Sequence, residues 1–435
     1  EYNQNKKGDV MGINLLILLI SIQPIGVYEY KLDNGLKVLI YEDHFAPVVS
    51  TQVHYRVGSY NEIIGKTGVS HLLEHMAFRG TKKYGPKEYD RIIDELGGEE
   101  NAFTSTHQTV YWANLYKDRY EIELIMEADR MQNLLIADKE FIPEQGVVME
   151  ERRLGENDPY GSLFETLDLM TYIYHPYRNP VIGYMIDLQN IERDDVYKWY
   201  KKYYNPANTI VVISGDVDKE EAIKLVKKYF GKIKGKEVKE IKYTEPSQNG
   251  ERRFKLFKDV NAPALAINYR TVEVNHSDAP ALDIIAKILS YGKSSRFEKI
   301  LIQEKGMAVN MSAYHSASKY DGTFSIFGIP QMNIGLESFE FEIYAQIERL
   351  KSGDISDDEI EKAKNQTIAQ FVFRQDSPTG IGFTLGYWEI ISGTWQNINI
   401  YPEKILSVSK DDIIRVANQY FTEDNRTVGY LMPGR

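Results

Sequence analysis

Residues 46–59 read APVVSTQVHYRVGS and residues 261–274 read NAPALAINYRTVEV, two strand-like stretches that resemble one another once a two-residue offset is allowed. Each is followed by a helical pattern and then by a glycine-containing turn, with Gly80 in the first half and Gly292 in the second. A chain of 435 residues is too long for one ordinary hydrophobic core. The repeat therefore predicts a duplicated domain. With Gly80 laid on Gly292, the positions matching His71, Glu74 and His75 are Asp283, Ala286 and Lys287. Whatever those three residues do, only the first copy does it.

Outward from the first stretch, YEYKLDNGLKVLIYED places two apolar segments around Asn34-Gly35, a two-residue hairpin signal. Beyond it, periodicity predicts helices from about Gly68 to Ala77 and from Pro86 to Leu96, the second stopping at Gly97-Gly98. Strands NAFTST and QTVYWANL follow, then helices at Asp118–Leu135, Pro143–Asn157 and Asp194–Tyr203, then the strand TIVVISGDV. Helices and strands are mixed in the α+β manner. The stretch KIKGKEVKEIKYTEPSQNGER has almost no apolar periodicity and reads as a linker. The expected organisation is an N-terminal apolar segment at 1–26, a first domain at 27–232, a linker at 233–252 and a second domain at 253–435.

A composition of 43% hydrophobic and 26% charged residues is that of a folded protein. The formal charge of -11, with no basic stripe interleaved with aromatics, argues against a nucleic-acid partner. There is no cysteine, so thiolate ligands and a cysteine nucleophile are excluded and any metal must be held by nitrogen and oxygen. The apolar run Ile13–Ile22, flanked by Lys6 and Lys7, is short for a membrane span and of the right length for a signal-peptide core, although no small-x-small cleavage site follows. If it is cleaved, the protein is periplasmic or secreted; otherwise it is cytoplasmic, with the segment part of the fold or a membrane tether.

His71-Leu72-Leu73-Glu74-His75 sets two imidazoles at i and i+4 on one helical face, close enough to share a cation. Neutral imidazole is the commonest ligand of catalytic zinc, whose sites use three protein ligands and keep a fourth position open. Glu74 is then placed as the general base that accepts a proton from the attacking water. A purely structural zinc site would need four ligands and no spare base. The other histidines, His44, His54, His107, His175, His276 and His315, are scattered singly and read as core or surface residues.

The segment HLLEHMAFRGT resembles the inverted zinc motif of the peptidase family that contains pitrilysin, mitochondrial processing peptidase and insulin-degrading enzyme. LGGEENAFTSTHQTVY, HPYRNPVIG, YYNPANTIVVISGDVD and SYGKSSRFEKI are similar to other stretches of that family. The resemblance implies two homologous α/β-sandwich domains, each a mixed antiparallel sheet with helices packed on it, dimerising into a clam-like chamber. It implies a zinc metalloendopeptidase that hydrolyses peptides or unfolded segments. The third ligand then lies 76 positions beyond His75, at Glu151 rather than at the neighbouring Glu150, and a supporting acid falls on Glu144. The strand at Asn101 and Ala102 is the implied grip on the substrate backbone.

One departure bears on partners. Many self-sufficient relatives carry an Arg and a Tyr in the second domain, and the matching positions here are Ile302 and Val309, which cannot hydrogen-bond a peptide or an oxyanion. This predicts a heterodimer in which a related, zinc-less subunit supplies those donors. The alternative is a homodimer in which Asn310, Tyr314 or His315 replaces them. A second reading of the whole chain is a non-catalytic assembly subunit with a vestigial zinc site.

Overall fold

The computed structural model describes residues 24–434. The first half forms a six-stranded sheet from β1 (Val27–Lys31), β2 (Lys37–Glu42), β3 (Val48–Tyr55), β4 (Glu99–Thr104), β5 (Thr109–Tyr116) and β6 (Thr209–Gly215), in the order β1-β2-β6-β3-β5-β4. The second half forms a five-stranded sheet from β7 (Arg252–Lys258), β8 (Ala264–Arg270), β9 (Ala308–Ala317), β10 (Gly322–Pro330) and β11 (Arg426–Pro433), in the order β7-β11-β8-β10-β9. The two orders are the same once β1 is set aside. In each sheet the last strand of the half pairs parallel with the first, β6 with β2 and β11 with β7, and antiparallel with its other neighbour, β3 or β8. The two similar stretches of sequence are β3 and β8, at equivalent places. This is the expected two-domain α+β fold, with open sheets.

Every residue of β6 is buried, as are all but the first of β3 and all but the last of β8. A strand buried on both sides needs cover on both sides. On one face the first sheet carries helices of its own half, including α1 (Val69–Met76), in a core of Val38, Val53, Leu72, Leu73, Met76 and Val211 among others. On the same half, α2 (Asp138–Asn157) packs beside α1.

The opposite faces are covered by exchange. The helix α3 (Pro159–Thr171) belongs to the first half, yet its Leu163 and Leu167 pack on Ala264, Ala266 and Leu431 of the second sheet. The second half contributes α4 (Ala279–Ser290) and α5 (Asp357–Phe373) to its own sheet, but sends α6 (Pro378–Ile391) to the first. There Ile381, Leu385 and Ile390 meet Leu39, Ile210 and Val212. Ser214 Oγ donates to Pro378 O at 2.6 Å and Gln52 Nε2 to Thr379 O at 3.0 Å. Each half is therefore finished by the other.

The 233–252 stretch joins the halves with no helix or strand before Arg252, and it is held in place: Glu245 accepts from the backbone N–H groups of Ile173, Tyr174 and His175 at 2.7, 2.9 and 2.7 Å, and Tyr60 Oη donates to Ile241 O at 2.9 Å. Its polar residues tie it down as a strap. Two local expectations are corrected. The hairpin at Asn34-Gly35 is wider than two residues, since the ladder ends at Lys31 and Lys37, and Asn34 Nδ2 is used to hold Phe230 O and Ile233 O at 2.8 and 2.9 Å. Finally, α2 starts at Asp138 and carries Pro143 inside it, with Asp138 and Glu140 in the first turn complementing the helix dipole. The apolar run Ile13–Ile22 lies outside the described residues. Among those described, no helix is long and apolar enough to cross a membrane.

Candidate active site

Two carboxylates fix the start of α1. Glu62 accepts from Gly68 N–H at 2.7 Å and from Ser70 N–H at 2.8 Å, satisfying amides that a helix leaves without partners at its N-terminus. Asp187 Oδ2 takes the N–H groups of Gly65 and Thr67 and the Thr67 hydroxyl. Gly68 sits at φ +90°, where a Cβ would meet Ile182 O at 2.4 Å, so the turn into the helix needs glycine. Leu72, Leu73 and Met76 are fully buried. With those in the core, His71 and His75 are turned toward α2.

There they meet Glu151. His75 Nε2 lies 3.5 Å from Glu151 Oε2 and His71 Nε2 lies 3.9 Å from Glu151 Oε1. One ligand atom from each of the three residues lies within 4.8 Å of the others. Ligands about 2.0–2.1 Å from a tetrahedral zinc stand roughly 3.4 Å from each other. The donor set of two nitrogens and one oxygen, at these separations, fits that ion. The competing Glu150 is turned away, paired with Arg153 at 2.8 Å.

Glu144, one α2 residue seven positions before Glu151, accepts from His75 Nδ1 at 2.8 Å and lies 2.5 Å from Arg79 Nε. Those partners outweigh its burial and hold the Glu144 carboxyl below the usual range. A donated Nδ1–H leaves Nε2 of His75 as the free lone pair, aimed at the donor cluster. Burial would lower the affinity of His75 for a proton, but Glu144, Glu74 and Glu151 together raise it. His71 behaves oppositely: burial, helped by His75, brings it down to about 4, so its imidazole is neutral. His71 Nδ1 is buried with no hydrogen-bond partner among the described residues.

Glu74 is 9% exposed, and burial raises its pKa above the ordinary 4.5. Thr104 Oγ1 donates to its Oε2 at 2.5 Å. Thr104 ends β4, the edge of the first sheet beyond β5. Asn101 on that strand is exposed and Ala102 is partly buried. The Ala102 amide is held by Asn101 Oδ1 at 2.8 Å. His71, His75, Glu144 and Glu151 thus come together between α1 and α2, and Glu74 is reached by Thr104 of β4, the strand that also carries Asn101 and Ala102.

Two model matches cover most of the chain: "Insulinase (Peptidase family M16)" over residues 37–184 and "Peptidase M16 inactive domain" over residues 190–367. The chain belongs to peptidase family M16. It is 33% identical over 409 residues to "Zinc protease PqqE" of Helicobacter pylori, covering 92% of each chain. It is 23% identical over 415 residues to "Probable mitochondrial-processing peptidase subunit beta, mitochondrial" of Arabidopsis thaliana, covering 92% of this chain and 77% of that one. Among solved structures, a protease from Helicobacter pylori superposes with a TM-score of 0.90 at 33% identity, covering 94% of this chain and 100% of the other.

Sequence reasoning missed Thr104 and Arg79. Arg79 stands four residues after His75, and that spacing was the available signal. Thr104 lies 30 residues from Glu74, and nothing in the strand NAFTST singles out its hydroxyl. Two of the histidines read as core or surface residues share one aromatic neighbour. His107 and His175 both pack against Tyr60, with ring centroids 4.9 and 5.5 Å away, and burial lowers them to about 3 and about 4. They are neutral core residues.

Proposed function

We propose that this M16 member is a zinc metalloendopeptidase acting on peptides or unfolded segments, with His71, His75 and Glu151 holding the metal and Glu74 as general base. The observation that carries the reading is the meeting of two imidazole nitrogens and one carboxylate within 4.8 Å, beside a second buried carboxylate left over for proton transfer. What zinc supplies when bound is Lewis acidity, which makes water acidic near neutral pH and polarises a carbonyl.

The rest is the work of side chains. Glu74 takes the proton of the attacking water and returns it to the leaving amine. Thr104 occupies Glu74 Oε2, which fixes the carboxylate plane and leaves Oε1 for that proton. Glu144, tied to Arg79, keeps the His75 ring in one tautomer. The free edge of β4 suits an extended substrate that binds as an added strand, displacing Asn101 Oδ1 from the Ala102 amide. Strand addition reads backbone, so it tolerates many sequences.

The same reading includes a related, zinc-less partner that supplies donors to the transition state. Val309 is 58% exposed and Ile302 packs at the margin of the second core, and neither side chain can donate a hydrogen bond. Of the replacements considered, His315 has both ring nitrogens engaged, by Asp283 at 2.8 Å and Thr271 at 3.2 Å. The test is cleavage of a quenched fluorescent peptide by the chain alone and with any co-purifying subunit, with Glu74→Gln and with a chelator. Activity abolished by both treatments supports the peptidase; full activity of the lone chain removes the heterodimer; one bound zinc per chain without cleavage in any pairing overturns the catalytic reading.

A further inference from the structure

The second copy of the site has lost its ligands but kept its cleft. A cavity of about 900 Å³ opens beside α4, and its wall includes Asp283, Ala286 and Lys287, the positions that match His71, Glu74 and His75. If the first residues of α5 and α2 are matched, Gln370 takes the place of Glu151. Lys287 Nζ donates to Gln370 Oε1 at 2.5 Å, so this pair mirrors the approach of His75 to Glu151. An ammonium group stands where the first copy gathers donors for a cation.

The charges in this cavity do not cancel. Both oxygens of Asp283 are taken, Oδ1 by His315 Nδ1 at 2.8 Å and Oδ2 by Tyr401 Oη at 2.8 Å. Beyond Gln370, the Lys287 ammonium rests over the Tyr291 ring of the same wall, 4.1 Å from its centroid, and Arg374, also on the wall, is exposed and makes no ion pair among the described residues. Burial, then the nearby Arg374, lower the pKa of Lys287 from its usual 10.5. Around the two cations the wall is aromatic, with Phe103, Phe371, Phe383, Tyr387 and Trp388. Phe103 lies on β4 beside Thr104, so adjacent residues of one strand serve the two clefts.

We infer that this cavity is a binding site for a carboxylate carried on an aromatic or apolar body, held between Lys287 and Arg374 with the apolar part against the aromatic wall. A volume near 900 Å³ admits a peptide end of a few residues as well as a small aromatic acid. The site needs no metal and is independent of the proposed catalysis.

The test is calorimetric titration of the full chain, in chelator, with acetyl-Phe-Phe, with its C-terminal amide and with 3-phenylpropionate. One site per chain is expected, with the free acid bound at least tenfold more tightly than the amide. Lys287→Gln and Arg374→Gln should each abolish most of that preference; Arg374 is exposed, so its variant reports even if Lys287→Gln fails to fold. Phenylpropionate binding as tightly as the peptide assigns the site to small acids, and weaker binding assigns it to peptide ends. Equal affinity for acid and amide, a preference that survives both substitutions, or no binding at millimolar concentration overturns the inference.

Discussion

Gly386 of α6 lies so close to His54 of β3 that a Cβ added to the glycine would fall 2.2 Å from the imidazole Cε1. His54 has nowhere to go: it is fully buried, and its ring nitrogens are held by Gln108 and Gln52 at 3.0 Å each. On an exposed helix, Gly→Ala gains about 1 kcal/mol from propensity alone. Here the clash dominates, so Gly386→Ala should destabilise the protein by about 2–3 kcal/mol. Urea unfolding decides, since a gain in stability would mean that α6 does not rest on β3.

Glu151→Gln should abolish tight zinc binding, whereas Glu150→Gln should leave it intact, because only Glu151 approaches both imidazoles. Glu144→Gln should bind zinc about 10–100-fold more weakly, as the loss of a ligand-orienting carboxylate usually does. Competition with a chromophoric chelator measures all three.

Thr104→Val removes the donor to Glu74 without altering the metal donors. Zinc content should stay at one per chain while kcat falls about 10-fold or more, and Thr104→Ser should recover most of the loss. Peptide turnover alongside metal analysis would show whether the hydroxyl matters to catalysis or only to folding.

Asp168 on α3 accepts from Asn268 Nδ2 at 3.1 Å, and burial pushes its carboxyl up to about 7 from an ordinary 3.8. The folded state therefore holds that proton more tightly than the unfolded chain. Its contribution to stability is full below the unfolded value and is lost as pH rises toward the folded one. Asp168→Asn should be more stable than the parent by about 1–2 kcal/mol at pH 8, after allowance for solvent screening, with the advantage shrinking toward pH 4. Thermal melts across that range would show it, and a pH-independent difference would contradict it.

The duplication was legible because β3 and β8 repeat a pattern, and the candidate metal cluster because its two histidines are local. The exchange of α3 and α6 was not. An apolar helical face such as Leu163 and Leu167 declares that it will be buried, not on which sheet. The anchoring of the 233–252 linker was hidden for a related reason: a glutamate such as Glu245 looks solvated in sequence, while its three amide partners are supplied by residues some 70 positions away. Glu151 was found only through family resemblance, because helix contacts over that distance leave no periodic trace.

The exchanged helices also set the order in which the protein can be made. When β6 leaves the ribosome, the helix that will cover its second face lies more than 160 residues downstream. At about 5–20 residues per second, that face waits for roughly ten seconds or longer. The nascent first half thus presents Leu39, Ile210 and Val212 to the cell as an unfinished apolar surface, a natural target for chaperones during synthesis. A chain truncated after the first sheet would carry every proposed metal donor and still be a sticky, incomplete object.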